Sequence, residues 1–159
     1  MRQAVADRYA RVYGLNVEAA EVVISNGAKH AIHNALMALC GPRDEVVIPA
    51  PYWVSYSDLV KLTGAEPVIV PTTEADGFKL TGEPSRRYET PRTKLLMLNS
   101  PSNPTGVVYA REELEAIADA VLATNVAVIS DEIYEDLTYG DAQPTCFATL
   151  RPLTSRFCT

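Results

Sequence analysis

Four short stretches carry residues whose types and spacing could do chemistry together. In SDEIYEDL, residues 130–137, Asp131 and Glu132 follow directly on an apolar run, with Tyr134 and Glu135 close behind. An aspartate placed there either caps a short helix or holds a cationic ring nitrogen through a charge-assisted hydrogen bond. In NSPSNPTG, residues 99–106, five of eight positions are Asn, Pro or Gly. The default is a turn network in which Asn99, Asn103 and Thr105 bond neighbouring backbone. An amide held between prolines is also a rigid donor aimed at a fixed point. SNGAKHAI, residues 25–32, offers Ser25 and Asn26 as helix caps and Gly27 as a place where backbone can approach a ligand closely. Lys29 falls in the first helical turn, where the helix dipole disfavours a cation. A bound phosphate would remove that conflict, and a capped helix with an exposed lysine is the plainer alternative. In IPAPYWVSY, residues 48–56, Pro49 and Pro51 deliver the only tryptophan of the chain, Trp53. Its indole either stacks on a flat ring or seals core against solvent.

The elements that must position these residues follow from hydrophobic periodicity. VVIS at 22–25, EVVI at 45–48, PVIV at 67–70, LLML at 95–98 and VAVIS at 126–130 read as strands buried on both faces. Between them, residues 28–40 put Ala28, Ala31, Ile32, Ala35, Leu36 and Leu39 on one helical stripe, stopped by Gly41-Pro42. Residues 54–63 and 110–123 give two more amphipathic helices, and another at 1–13 leads in. Alternation of this kind predicts an α/β fold: a mainly parallel sheet with helices on both faces. The stretch 72–93 is polar and irregular, with one helix candidate at 84–89. Ligands bind such sheets at the carboxyl ends of the strands, so all four stretches are expected along one edge.

The chain has 159 residues, 47% of them apolar and 21% charged, enough to bury the core of one domain. A net charge of −6 argues against nucleic acid and anionic membrane as partners. Cys40, Cys146 and Cys158 have no paired spacing and read as reduced structural residues of a cytoplasmic protein. His30 and His33 lack a carboxylate or thiol at ligand spacing, so no metal site is expected. Arg2, Asp7, Arg8 and Arg11 interrupt any signal-like N-terminal run, and no window reaches the length of a membrane span. An ordinary nucleotide-binding domain is disfavoured, because neither GxGxxG nor GxxxxGK[ST] follows a strand.

Taken together, the four stretches supply an anion cradle, a flat aromatic, an amide donor and a carboxylate with a phenol beside it. That set suits a phosphorylated, hydroxylated pyridine, which is pyridoxal 5′-phosphate. SNGAKHAI, PAPYWVSY, NSPSNPTGVVY and SDEIYEDL also resemble, in order and spacing, the motifs of the aspartate aminotransferase family of fold-type I pyridoxal-phosphate enzymes. The resemblance covers residues 1 to about 150 and implies a role for each position. Gly27, Ala28 and Lys29 match the phosphate-binding turn. Trp53 matches the aromatic that stacks on the cofactor ring and borders the substrate. Asn103 matches the asparagine that bonds the ring's 3-oxygen and lies near the substrate carboxylate, and Tyr134 the tyrosine that shares that oxygen. Asp131 matches the aspartate that keeps the pyridine nitrogen protonated. The Asn103–Pro104 and Ala50–Pro51 bonds are expected to be cis.

The activity implied is transfer of an amino group between an amino acid such as aspartate and a 2-oxo acid, in a homodimer. Related lyases share these motifs, and a non-catalytic or vestigial cofactor-binding fragment is the other alternative. The family's Schiff-base lysine lies downstream of the aspartate, whereas Lys29, Lys61, Lys79 and Lys94 all precede Asp131. No catalytic residue is therefore assigned. The expectation is a partial large domain over 1–150 with an atypical tail at 151–159, lacking the lysine segment, the substrate arginines and the small domain, and inactive alone.

Overall fold

The computed structural model describes residues 1–80 and 90–150, together with the backbone of Phe157 and Cys158. The helix candidate at 84–89 lies outside the described residues, as do 151–156 and 159. Chain order is α1 (Arg2–Tyr13), α2 (Ala28–Leu39), β1 (Glu45–Ala50), α3 (Ser55–Leu62), β2 (Glu66–Pro71), β3 (Thr93–Asn99), α4 (Arg111–Leu122), β4 (Ala127–Asp131) and a two-residue β5 (Phe157–Cys158). Short 3₁₀ turns occupy Glu74–Asp76 and Phe147–Thr149. All pairings are parallel, in the order β2-β1-β3-β4-β5.

Two-residue alternation along the strands splits the core into two layers. Val46, Ile48, Leu95, Met97 and Ile129 meet Ile32 and Leu36 of α2 and Leu59 and Val60 of α3. On the opposite face Val47, Leu96, Leu98 and Val128 pack with Leu114, Ile117 and Val121 of α4. Each such side chain contributes roughly 1.5–3 kcal/mol on leaving water. The anticipated helix–sheet–helix architecture is thus present. Because β2 lies on one side of β1 and β3 on the other, the strand order reverses between β1 and β3. A crevice opens at the carboxyl ends of a sheet at such a point.

One expected strand is absent. Residues 22–25 pair with no strand, and Val23 and Ile24 are 76% and 46% exposed. An apolar run needs a hydrogen-bonding neighbour and a covered face to become a strand, and among the described residues this one has neither. Residues 21–27 instead run as an irregular segment into α2. Helix α1, in which Ala6 is buried, is tied to the turn after β4 by polar contacts. Arg8 Nη2 donates to Glu135 Oε1 at 2.5 Å, and the Tyr13 hydroxyl donates to the same carboxylate.

Candidate functional site

The carboxyl end of the sheet gathers three of the four stretches directly. Ala50 ends β1 and leads through Pro51 to Trp53, Asn99 ends β3, and Asp131 ends β4. Asn99 and Asp131 are register partners, so their loops leave the sheet at the same height. The fourth stretch follows no strand but still arrives there. Ala28 and Asp131 both line one groove of about 290 Å³, along with Ile32, Ile129 and Ile133. The Lys29 ammonium lies 5.0 Å from the centroid of the Trp53 ring. That contact between cation and aromatic face offsets the unfavourable place of the lysine beside the positive helix end.

The start of α2 differs from expectation in its caps. Ser25 and Asn26 do not cap it: the Ser25 hydroxyl accepts from Asn34 Nδ2 at 3.3 Å, and the Asn26 amide donates to His30 Nδ1 at 3.2 Å. The N-cap is Gly27, at φ 86° and ψ 164°, with no side-chain hydrogen bond. Only glycine enters that region of backbone space at low cost. Helical bonding begins with the His30 and Ala31 amides, both donating to the Gly27 carbonyl. The Ala28 and Lys29 amides precede it and face outward from an uncapped helix end, which suits an anion.

The loop after β3 is organised by Asn99. Its Oδ1 accepts from the Asn103 amide at 2.7 Å, while Nδ2 donates to the Pro101 carbonyl at 3.1 Å and the Asp131 carbonyl at 2.9 Å. One side chain therefore ties this loop to the end of β4 and sets the direction of Asn103. Asn103 Nδ2 then donates to the Tyr134 hydroxyl at 3.4 Å. The two side chains expected to share one ring oxygen do converge. The Asn103–Pro104 and Ala50–Pro51 bonds are cis as anticipated, and Ser100–Pro101 is cis as well.

Asp131 opens a turn rather than a helix, and both its oxygens are engaged. Oδ1 accepts from the Ile133 amide at 3.2 Å, and Oδ2 accepts from the Tyr56 hydroxyl at 2.6 Å. Tyr56 is 2% exposed, and burial, reinforced by the neighbouring carboxylate, pushes its phenol well above the usual tyrosine range. The next residue anchors the scaffold. Glu132 Oε1 accepts from the Ser130 hydroxyl at 2.7 Å and the Phe147 amide at 2.8 Å, fastening the 146–150 segment beneath β4. Burial raises the Glu132 carboxyl above its ordinary value and the Cys146 thiol to about 12.

The structure thus assembles Lys29, Trp53, Asn103, Asp131 and Tyr134 with the Gly27–Ala28 turn at one end of the sheet. Sequence reasoning missed Tyr56 and the triple role of Asn99. Tyr56 does carry a signal: it stands three residues after Trp53 at a helix start, which returns its side chain to the same side.

Comparison with known proteins points the same way. The chain is 47% identical over 152 residues to an aspartate aminotransferase of Geobacillus stearothermophilus, covering 96% of this chain and 39% of the relative. It is also 47% identical over 142 residues to a probable aspartate/prephenate aminotransferase of Thermus aquaticus, covering 89% and 37%. The solved aspartate aminotransferase of Rhizobium meliloti superposes with a TM-score of 0.95 at 37% identity, over 98% of this chain and 40% of that one. The chain therefore spans about two fifths of the length of the curated relatives it matches. Residues 1–156 match the family described as aminotransferase class I and II, and the chain belongs to that family.

Proposed function

We propose that this chain carries the cofactor-holding part of a pyridoxal-phosphate-dependent aminotransferase site. The observation that carries the reading is the shared groove of Ala28 and Asp131, with Asn103 and Tyr134 bonded to each other beside it. The donor set fits the cofactor. Uncapped amides at Ala28 and Lys29 suit a phosphate, and the open space where a Gly27 Cβ would point leaves room for one. A carboxylate at the end of β4 suits a protonated pyridine nitrogen, and the half-buried Trp53 indole suits the ring face.

When bound, the cofactor supplies an electron sink for charge released at the substrate's α-carbon. The residues of the chain serve that sink by position. Asp131 would hold the proton on the ring nitrogen through a charge-assisted hydrogen bond. Asn103 and Tyr134 would fix the ring oxygen, Trp53 would set the plane of the ring, and residues 27–29 would hold the phosphate. Trp53 and Asn103 also border the place for a substrate carboxylate. The relatives' names, aspartate aminotransferase and aspartate/prephenate aminotransferase, support an amino acid such as aspartate and a 2-oxo acid as substrates. A Thermus thermophilus aspartate aminotransferase solved with maleate, a dicarboxylate, supports the same class. A homodimer in the cytoplasm belongs to this reading, and Val23, Ile24, Met37 and Leu39 are exposed apolar side chains that a partner copy could cover.

Trp53, being the only tryptophan, provides the test. Pyridoxal 5′-phosphate titrated into the purified chain should quench its emission saturably. Asn103→Ala and Asp131→Asn should each weaken binding about tenfold, the loss of a hydrogen bond to a charged or tightly held group. Emission that falls only linearly, or variants that bind as well as the parent, would overturn the proposal.

A further inference from the structure

Tyr56 is a buried phenol that bonds directly to Asp131 and that no role above has absorbed. It sits in the first turn of α3 with its amide donating to the Trp53 carbonyl at 2.9 Å. Its ring meets the Trp53 indole edge-on, with centroids 5.5 Å apart and planes at 87°. Its hydroxyl reaches 75 residues along the chain to Asp131 Oδ2 at 2.6 Å, a short bond of the kind made to an ionised acceptor. One side chain therefore touches both the ring that would set the cofactor plane and the carboxylate that would anchor the cofactor within that plane.

We infer that Tyr56 is a positioning residue, a corner bracket that fixes the Asp131 carboxylate at a set distance and angle from the Trp53 indole. The inference deepens the proposed function and rests on it for the cofactor that Asp131 faces. Without the phenol, the Asp131 carboxylate keeps, among the described residues, only its bond from the Ile133 amide and can turn about the Cβ–Cγ bond. With the phenol, Oδ1 and Oδ2 are both held, and the remaining lone pairs point in a fixed direction. Among the described residues the Tyr56 hydroxyl donates only to Asp131 Oδ2, so its proton is committed there.

Two measurements test this. The first needs no cofactor. The unmodified chain should give a slowly exchanging hydroxyl proton resonance by NMR that disappears in Tyr56→Phe and moves upfield in Asp131→Asn. Absence of that signal, or one that Asp131→Asn leaves in place, overturns the contact. The second compares two probes, pyridoxine 5′-phosphate and its counterpart with CH in place of the ring nitrogen. The parent chain should prefer the nitrogen-bearing probe, and Tyr56→Phe, which keeps the ring and its edge contact, should reduce that preference about tenfold. Equal weakening of both probes would make Tyr56 a packing residue and overturn the positioning role. If neither probe binds the parent chain, the proposed function falls, while the hydroxyl resonance still decides whether Tyr56 holds Asp131.

Discussion

Removing the Asn99 side chain should unfasten the site without touching any residue assigned to cofactor. Asn99→Ala deletes one accepted and two donated hydrogen bonds, at 2.7, 3.1 and 2.9 Å. Each neutral bond contributes about 1 kcal/mol net, and the half-buried position lets water recover part of that. The expected loss is about 2 kcal/mol. With a urea m-value of about 2 kcal/mol/M, the unfolding midpoint should fall by about 1 M. Asn99→Asp separates the contributions. It keeps an acceptor for the Asn103 amide but cannot donate to the Pro101 and Asp131 carbonyls, and at neutral pH it sets a carboxylate against both. It should be at least as unstable as the alanine variant at pH 7 and recover at low pH, where a protonated carboxyl regains one donor. Pyridoxal 5′-phosphate binding should weaken in both, because the direction of Asn103 is no longer imposed. A midpoint shift below about 0.2 M with unchanged cofactor binding would mean that the stiffness of the prolines alone holds the loop.

Other outcomes follow from the same geometry. Gly27→Ala should cost about 1–3 kcal/mol through backbone strain, since its φ of 86° and ψ of 164° suit glycine while no atom lies within 4 Å of the added Cβ. Urea titration checks this, and a neutral substitution would contradict it. Glu132 has a folded-state pKa raised above 4.5 by burial, so the folded chain binds its proton more tightly. Its contribution to stability is full below pH 4.5 and lost as the pH rises through the folded value. Glu132→Gln should flatten that part of the stability profile in urea melts recorded from pH 4 to 7, and an unchanged slope would refute the assignment. Phe147→Ala, at a side chain with 0% exposure, should cost about 3–5 kcal/mol by calorimetry or urea.

The legibility of the sequence varied with how local each determinant was. Four helices were readable because their apolar stripes and stops lie within one segment, as in 28–39 before Gly41-Pro42. Strands 45–50, 93–99 and 127–131 are readable because burial on both faces leaves continuous apolar runs. The run at 67–70 also forms a strand, but not one buried on both faces: β2 is the edge of the sheet, Val70 is its one buried residue and Ile69 is 38% exposed. The same rule misassigns 22–25, where the run exists but no neighbouring strand among the described residues supplies hydrogen bonds. Ser25 and Asn26 had the composition of caps, yet their partners are Asn34 and His30, a choice made by the side of the helix they approach. Asp131 and Asn103 stand out because they fall at strand exits, where an α/β sheet binds ligands, and Tyr134 through the resemblance of SDEIYEDL to the family motif. Tyr56 stayed hidden because its meaning depends on an aspartate 75 residues away, a distance only the folded sheet closes.

The register of β4 against β3 has a consequence for every variant of this chain. Asn99 faces Asp131 across the last rung of the ladder, and alternation along β4 sends successive side chains to opposite layers. Deleting a single residue from 127–130 would put Asp131 in the place of Ser130 and Glu132 in the place of Asp131, so the carboxylate facing Asn99 would stand on a longer side chain and the Ser130–Glu132 anchor would be lost. The length of this strand is therefore itself part of the site, since one residue more or fewer changes which carboxylate meets the end of β3.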